Sequence, residues 1–497
     1  MGRIAVAVIV SLWVIPVSFL VNRIVPEPYM DEIFHAPQAQ QYCKGNFRSW
    51  DPMITTPPGL YYLSLAHVAS LFPGMFLIQA DSSFSEVCTT AILRSVNGVL
   101  ALLCSILVYE IITHLRPTLN VASLTAVLAM YLASLKKSYW FSALVKDSAQ
   151  TFFINHLGAL AVVIRQTNII WMFFVACIGV IDATLTHERD KIEVNENEID
   201  AAIRKTDRLT SKNNVTWGLN LRKRKFSSAL DTDKHSIPST SIFSANHMSG
   251  LLDEVQVILL RSWHMKWKLL VSFSPFLMVL LAFLAFVRWN GSVVLGAKEA
   301  HAVSPHFAQI MYFGLVSALA VAPLHCSLGQ IIDLFQSFWK RRPLSFFQVL
   351  MAVIAGFFSV HYFSIAHPYL LADNRHYPFY LWRKVINAHW SMKYLLVPLY
   401  VYSWFSILTV LGKVQRKIWV LAFFLATAAV LVPAPLIEFR YYTIPFYFLI
   451  LHSPITDYQS WLLMGFLYLA LNVLTMMLFL FRPFHWSHEP GIQRFIW

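Results

Sequence analysis

Apolar runs long enough to cross a bilayer recur along this chain, and they limit its fold more than any other feature. A crossing helix needs roughly 20 apolar residues, somewhat fewer where neighbours bury its ends. Such runs fall at about 4–21, 58–78, 96–112, 121–135, 139–164, 168–182, 269–287, 307–325, 345–363, 394–411, 418–435, 440–452 and 461–481. Two of them (121–135 and 440–452) are short, and 139–164 carries Lys146 and Asp147, which sets the expectation at about 12 spans. Only 13% of the 497 residues are charged, against roughly 25% in soluble domains. That is too few to cover a water-facing surface. The sequence predicts an all-α polytopic membrane protein and excludes disordered, collagen-like, coiled-coil and soluble two-domain chains. No fixed-period repeat and no barrel-like alternation is present. The run Ile4 to Val21 leads into Asn22-Arg23 and a Pro-rich polar loop without a small-residue cleavage site, so it reads as a retained first helix.

The net charge of +13 sits in short basic clusters between the runs. That distribution orients helices in a membrane and does not point to nucleic acid. Lys136-Lys137, the polar segment 185–262 with its Arg222-Lys223-Arg224-Lys225 run, Lys340-Arg341-Arg342 and Lys413 to Lys417 are placed in the cytosol. The segment 185–262 reads as a mostly disordered loop between an N-terminal membrane part (1–184) and a C-terminal one (263–497). Counting spans then collects 22–57, 288–306, 364–393 and the link 436–442 on the opposite face, and leaves the side of the C-terminus open. Five scattered cysteines, without CxxC spacing, predict neither a metal site nor a disulfide framework. Asn290-Gly291-Ser292 is a glycosylation sequon on the non-cytosolic side, close to the membrane; Asn214-Val215-Thr216, a second one, is placed in the cytosol.

The richest chemistry follows the first helix. Asp31 and Glu32 are adjacent carboxylates, and His35 shares a helical face with Asp31. A carboxylate at the bilayer edge is partly desolvated, which makes it a candidate general base; a solvated helix start with acids favouring the dipole is the alternative. Ser49-Trp50-Asp51-Pro52 and Pro57-Pro58-Gly59 complete that segment. On the same face lie Asp373-Asn374-Arg375-His376-Tyr377 and Glu438-Phe439-Arg440-Tyr441-Tyr442. Arginines at helix boundaries are costly unless paired or bound to an anion, and their forked geometry matches phosphate oxygens. Pairing with Asp373 and Glu438 alone is the competing reading. Arg165-Gln166-Thr167-Asn168 interrupts two apolar runs on that side. No Gly-rich phosphate loop, HExxH or nucleophile elbow is present.

These segments, from Tyr29 to His35 with Pro37 to Gln40, Trp50 to Gly59, Arg165 to Trp171, Leu371 to Tyr377, Leu436 to Tyr442 and Ile492 to Trp497, resemble the alpha-1,2-glucosyltransferases that add the terminal glucose in lipid-linked oligosaccharide assembly. The resemblance implies a type C glycosyltransferase fold in the endoplasmic reticulum membrane with a lumenal active site. It implies dolichyl phosphate glucose as donor, a diglucosylated, mannose-rich oligosaccharide on dolichyl pyrophosphate as acceptor, and inversion of a beta-linked donor to an alpha-linked product. A lumenal base then maps onto Asp31, with Glu32 the second choice. Arg375 and Arg440, with His376, would hold the donor phosphate, and His35, Trp50 and Asp51 would meet acceptor sugar. No cofactor or metal is implied. One departure stands out: Pro117-Thr118-Leu119-Asn120 runs into Val121 without the family's Tyr-Thr-Asp, and Val145 to Leu157 looks inserted. An inactive variant of the enzyme is therefore one alternative. A proton-coupled transporter and a non-enzymatic membrane partner are the others, and a dolichyl-phosphate-mannose enzyme of similar fold is the nearest enzymatic rival.

Overall fold

The computed structural model describes residues 2–78, 83–115, 158–185, 250–299, 303–340, 342–454, 458–487 and 491–496. These residues are mostly helical, and β pairing is limited to two isolated bridges. Seven described helices are long and apolar enough to span: Gly2–Ile24, Thr90–Thr113, Asn168–Leu185, Lys266–Asn290, Arg342–Tyr362, Met392–Gly412 and Gln459–Phe481. An eighth is the pair Ala308–Ala320 and Ala322–Lys340, bent by 97°. Every span read from the sequence other than 121–135 and 139–164 coincides with a helix. The first of those two lies outside the described residues; of the second only 158–164 is described, as helix. The departure from the family pattern at 117–157 also lies outside them. Several helices leave nearly all their apolar side chains uncovered by protein: only 6% of the apolar window of Lys266–Asn290 is buried, and 11% of that of Gly2–Ile24. Such faces are stable only against lipid. The chain is a multi-pass membrane protein.

The residues form two compact units, Met1–Ile178 with Leu270–Trp497, and Gly179–Leu269. In the smaller unit most of the segment 185–262 lies outside the described residues. Its described end is the helix Leu251–His264, where Asp253 accepts from the backbone N–H of Gly250, a capping contact that satisfies a helix-start donor. The larger unit carries the site. Its main core joins Trp171, Phe313, Trp404, Phe423 and Phe448 from five helices. Gly314 lets Trp404 lie against its helix, for a Cβ there would stand 2.6 Å from the indole Nε1, which donates to the carbonyl of Ile310 at 2.9 Å.

One expectation is overturned. Cys43 and Cys88 form a disulfide, 45 residues apart in sequence, tying the end of the Glu32–Cys43 helix to the loop that precedes the Thr90–Leu115 helix. Scattered spacing hid the pair because it joins the two flanks of the Gly59–Ile78 helix, whose Val68 packs against both cysteines. Flanks bonded to each other lie on one side of the membrane, so the run 58–78 is not the single crossing expected of it. In membranes denatured without reductant, Cys43 and Cys88 are expected to resist alkylation and to label only after reduction. Labelling of both without reductant would contradict the pairing.

Candidate active site

The turn before the second helix presents Asp31. Met30 takes a left-handed backbone conformation, φ 55°, which costs a non-glycine residue of order 1–2 kcal/mol. This sharp turn lets the N–H of Glu32 reach the carbonyl of Tyr29 at 3.2 Å and that of Ile33 reach Met30 at 3.0 Å. Asp31 stands at the N-cap position, and its side chain makes no capping bond to the helix. The carboxylate points instead to the third polar segment, where Arg440 Nη1 lies 3.4 Å from Asp31 Oδ2. Both side chains are open to solvent, 40% exposed for Arg440 and 56% for Asp31. Arg440 Nη2 also donates to Glu438 Oε1 at 2.7 Å, and its Nε meets the same carboxylate.

Glu32 has a different environment. Arg94, from the Thr90–Leu115 helix, donates through Nη2 to Glu32 Oε2 at 2.7 Å and through Nε to Oε1 at 3.1 Å. The same guanidinium reaches Asn22 Oδ1 at 3.0 Å and the carbonyls of Val25 and Glu27 at 2.6 and 3.0 Å. Glu32 and Arg94 together anchor the chain as it leaves the first helix. Sequence reasoning missed Arg94. Its signal was a lone cation near the start of an apolar run, costly there unless paired.

The Asp373–Tyr377 loop supplies the second cation. Asp373 grips Arg375 in a forked pair, Nε to Oδ1 at 2.9 Å and Nη2 to Oδ2 at 2.8 Å. Arg375 Nη1 donates to Gln493 Oε1 at 2.8 Å, and the guanidinium lies over the Trp486 ring. Burial alone would raise the Asp373 carboxyl, but the hydrogen bonds and charge of Arg375, with His376, hold it below the usual carboxylate range. His376 lies 3.5 Å from Asp373 and feels the charges of Asp31 and Arg440 as well; burial outweighs the acids and lowers its imidazole below the ordinary value. Three predicted segments thus converge on Asp31, His376 and Arg440.

The remaining predicted residues gather around Tyr61. His35 Nδ1 is 2.6 Å from the hydroxyl of buried Tyr61, and Trp50 meets the Tyr61 ring edge-on at 5.8 Å. Asp51 holds its own turn by accepting from the N–H of Met53 at 2.9 Å, while buried Gln38 clamps the carbonyl of Ser49 and the N–H of Asp51. The segment after Asn290 closes on this loop. Leu295 N–H donates to Thr55 and Ala297 N–H to Pro52, and a Cβ on Gly296 would come 2.2 Å from the Pro52 carbonyl oxygen. Gln166 donates to the Thr55 carbonyl at 2.7 Å, and Arg165 lies over the Tyr441 ring. The Arg165 interruption therefore joins two site segments. The sequon's Asn290 amide nitrogen donates to the carbonyls of Ser292 and Val294. Gln309, fully buried, donates to the carbonyls of Ala434 and Leu436 at 2.8 Å each and shapes the link that ends in Glu438 and Arg440. Among the described residues, no three or more His, Cys, Asp or Glu side chains are gathered as a metal site would need.

Comparison with known proteins adds the family. The profile of the DIE2/ALG10 family matches residues 25–121 and 119–451. Its two pieces meet at the position where the sequence departs from the expected pattern. A protein of Arabidopsis thaliana, named Dol-P-Glc:Glc(2)Man(9)GlcNAc(2)-PP-Dol alpha-1,2-glucosyltransferase, is 56% identical over 100% of both chains. Proteins of Mus musculus and Homo sapiens with the same name are 32% and 33% identical, over 96% of this chain and 94% of theirs. No solved structure matches. On the profile and on full-length likeness to these three relatives, the chain belongs to the DIE2/ALG10 family.

Proposed function

We propose that this protein transfers glucose from dolichyl phosphate glucose to the diglucosylated, mannose-rich oligosaccharide on dolichyl pyrophosphate, forming the terminal alpha-1,2 bond. The observation that carries the reading is 56% identity, over the whole of both chains, to a relative whose name states that donor, acceptor and linkage. Asp31 is the general base. It takes the proton of the acceptor 2-hydroxyl as that oxygen attacks C1 of glucose from the face opposite the phosphate. The C1–O bond to phosphate breaks in the same step, the configuration inverts, and dolichyl phosphate leaves with little need of an acid. Glu32 is less suited to that task, since Arg94 and the helix start occupy its oxygens.

Arg440 is the first contact for the donor phosphate. Its 3.4 Å approach to Asp31 is long for a charged pair, so an entering phosphate competes well for Nη1, while Nη2 and Nε are held by Glu438. His376 faces the same space, and Arg375, engaged on three nitrogens, shapes the loop and adds its charge. His35, Trp50 and Asp51 line the acceptor side. The reading gives the reaction no cofactor beyond the donor. It places the protein in the endoplasmic reticulum membrane, with about 12 spans of the type C fold and the site facing the lumen, between the membrane parts 1–184 and 263–497. The Cys43–Cys88 disulfide supports that sidedness, because such bonds persist in oxidising compartments.

The test is rescue of cells that lack the terminal glucosyltransferase. This chain is expected to convert their two-glucose lipid-linked oligosaccharide to the three-glucose species. Persistence of the two-glucose species, with the protein present in the membrane, would sink the reading.

A further inference from the structure

The terminal segment Ile492 to Trp497 is among the motifs singled out in the sequence, yet the reaction above gives it no role. Chain ends are poorly ordered unless something ties them down, and this one is tied at four points. Phe484 and Gln493 exchange backbone hydrogen bonds of 2.8 and 2.7 Å, so the chain doubles back after its last helix. Ile496 then lies beside His376: its N–H donates to the Arg375 carbonyl at 2.8 Å, and its carbonyl accepts from Tyr377 at 3.1 Å. The Tyr29 hydroxyl accepts from the N–H of Arg494 at 2.7 Å and donates to its carbonyl at 3.0 Å. The Arg494 guanidinium donates to the carbonyls of Phe479 and Leu480 at 2.8 Å each, which satisfies the last turn of the Tyr458–Phe481 helix. Gln493 and Arg494 are only 5% and 7% exposed.

We propose that residues 491–496 are a strap that fixes the spacing between the Tyr29–Asp31 turn and the Arg375–His376 loop, and that Gln493 is a positioning residue for the donor. The strap touches both halves of the site, Tyr29 two residues before the base and Arg375 through a side-chain bond. Asp373 fixes the Arg375 guanidinium on one edge, and Gln493 holds Nη1 on another. Without Gln493 the fork keeps Asp373 and the Trp486 ring but loses the bond that fixes Nη1. The placement also puts the C-terminal segment on the same face as Asp31, a side that span counting left open. The functional part rests on the glucosyl-transfer reading; the placement does not.

The experiment has two arms on the full-length chain. The double variant His376→Cys with Ile496→Cys is expected to cross-link under mild oxidation in native membranes, detected as linked peptides by mass spectrometry. Gln493→Ala is expected to raise the donor KM about tenfold with kcat within about twofold, and Gln493→Glu, which still offers Arg375 an acceptor, is expected to restore most of it. A missing cross-link overturns the placement. An unchanged donor KM in Gln493→Ala, or a Gln493→Glu variant as impaired as the alanine, overturns the positioning role. Absence of transfer by the unaltered chain would instead defeat the glucosyl-transfer reading, and the cross-link would still decide where the strap lies.

Discussion

Asp31→Asn is expected to reach the membrane in normal amount and to transfer glucose about 10²–10⁴ times more slowly, the range for loss of a positioned base. Asparagine keeps the size of the side chain and loses only the charge and the capacity to accept a proton. Because Arg440 no longer has that carboxylate to pair with, the donor KM should stay level or fall, so the loss sits in kcat. Glu32→Gln should behave differently. It weakens the Arg94 anchor, and Arg94, whose side chain is 11% exposed, is left with a largely buried unmatched charge. Lower protein amount, with turnover per molecule far less affected, is the expected outcome. If Glu32→Gln lost turnover and Asp31→Asn kept it, the two carboxylates would have to exchange roles.

The second large effect is expected at Arg440. Removing a cation aimed at charge that develops on a leaving phosphate costs about 10²–10³ in rate, and Arg440→Ala should lower kcat/KM for the donor by that factor. Arg440→Lys should recover only part, since an ammonium keeps the charge and loses the fork that spans two oxygens. The alanine variant also leaves Glu438 without the contact it makes in the resting site, so protein amount must be matched before rates are compared. An Arg440→Ala variant with donor kinetics unchanged would mean that the phosphate sits elsewhere, with Arg375 and His376 the next candidates.

Much of this arrangement was legible in the sequence. Most spans were visible as apolar runs, and helices occupy those that lie among the described residues. Basic clusters grouped four polar segments, and three of them meet directly, through Asp31 with Arg440 and Leu295 with Thr55, while His376 of the fourth feels the charges of Asp31 and Arg440. Elsewhere the information lay in pairs far apart in the chain. Glu32 differs from Asp31 because an arginine 62 residues away reaches it, and no local pattern encodes that. Arg375 and Arg440 looked alike at helix boundaries, yet one is ringed by Asp373, Gln493 and Trp486 while the other, held by Glu438 and close to Asp31, keeps 40% of its side chain exposed. The roles of Gln38 and Gln309 were invisible because a neutral amide gives no sign of the two loop contacts it will make. The disulfide escaped for the same reason: a separation of 45 residues carries no spacing signal.

The most direct measurement is transfer by the purified protein in lipid, with dolichyl phosphate glucose as donor and the two-glucose lipid-linked oligosaccharide as acceptor, followed as three-glucose product. The unaltered chain should form an alpha-1,2-linked glucose from this donor, and Asp31→Asn should form almost none at equal protein. Equal product from both chains would contradict Asp31 as base, and no product from either would contradict the assignment of the reaction.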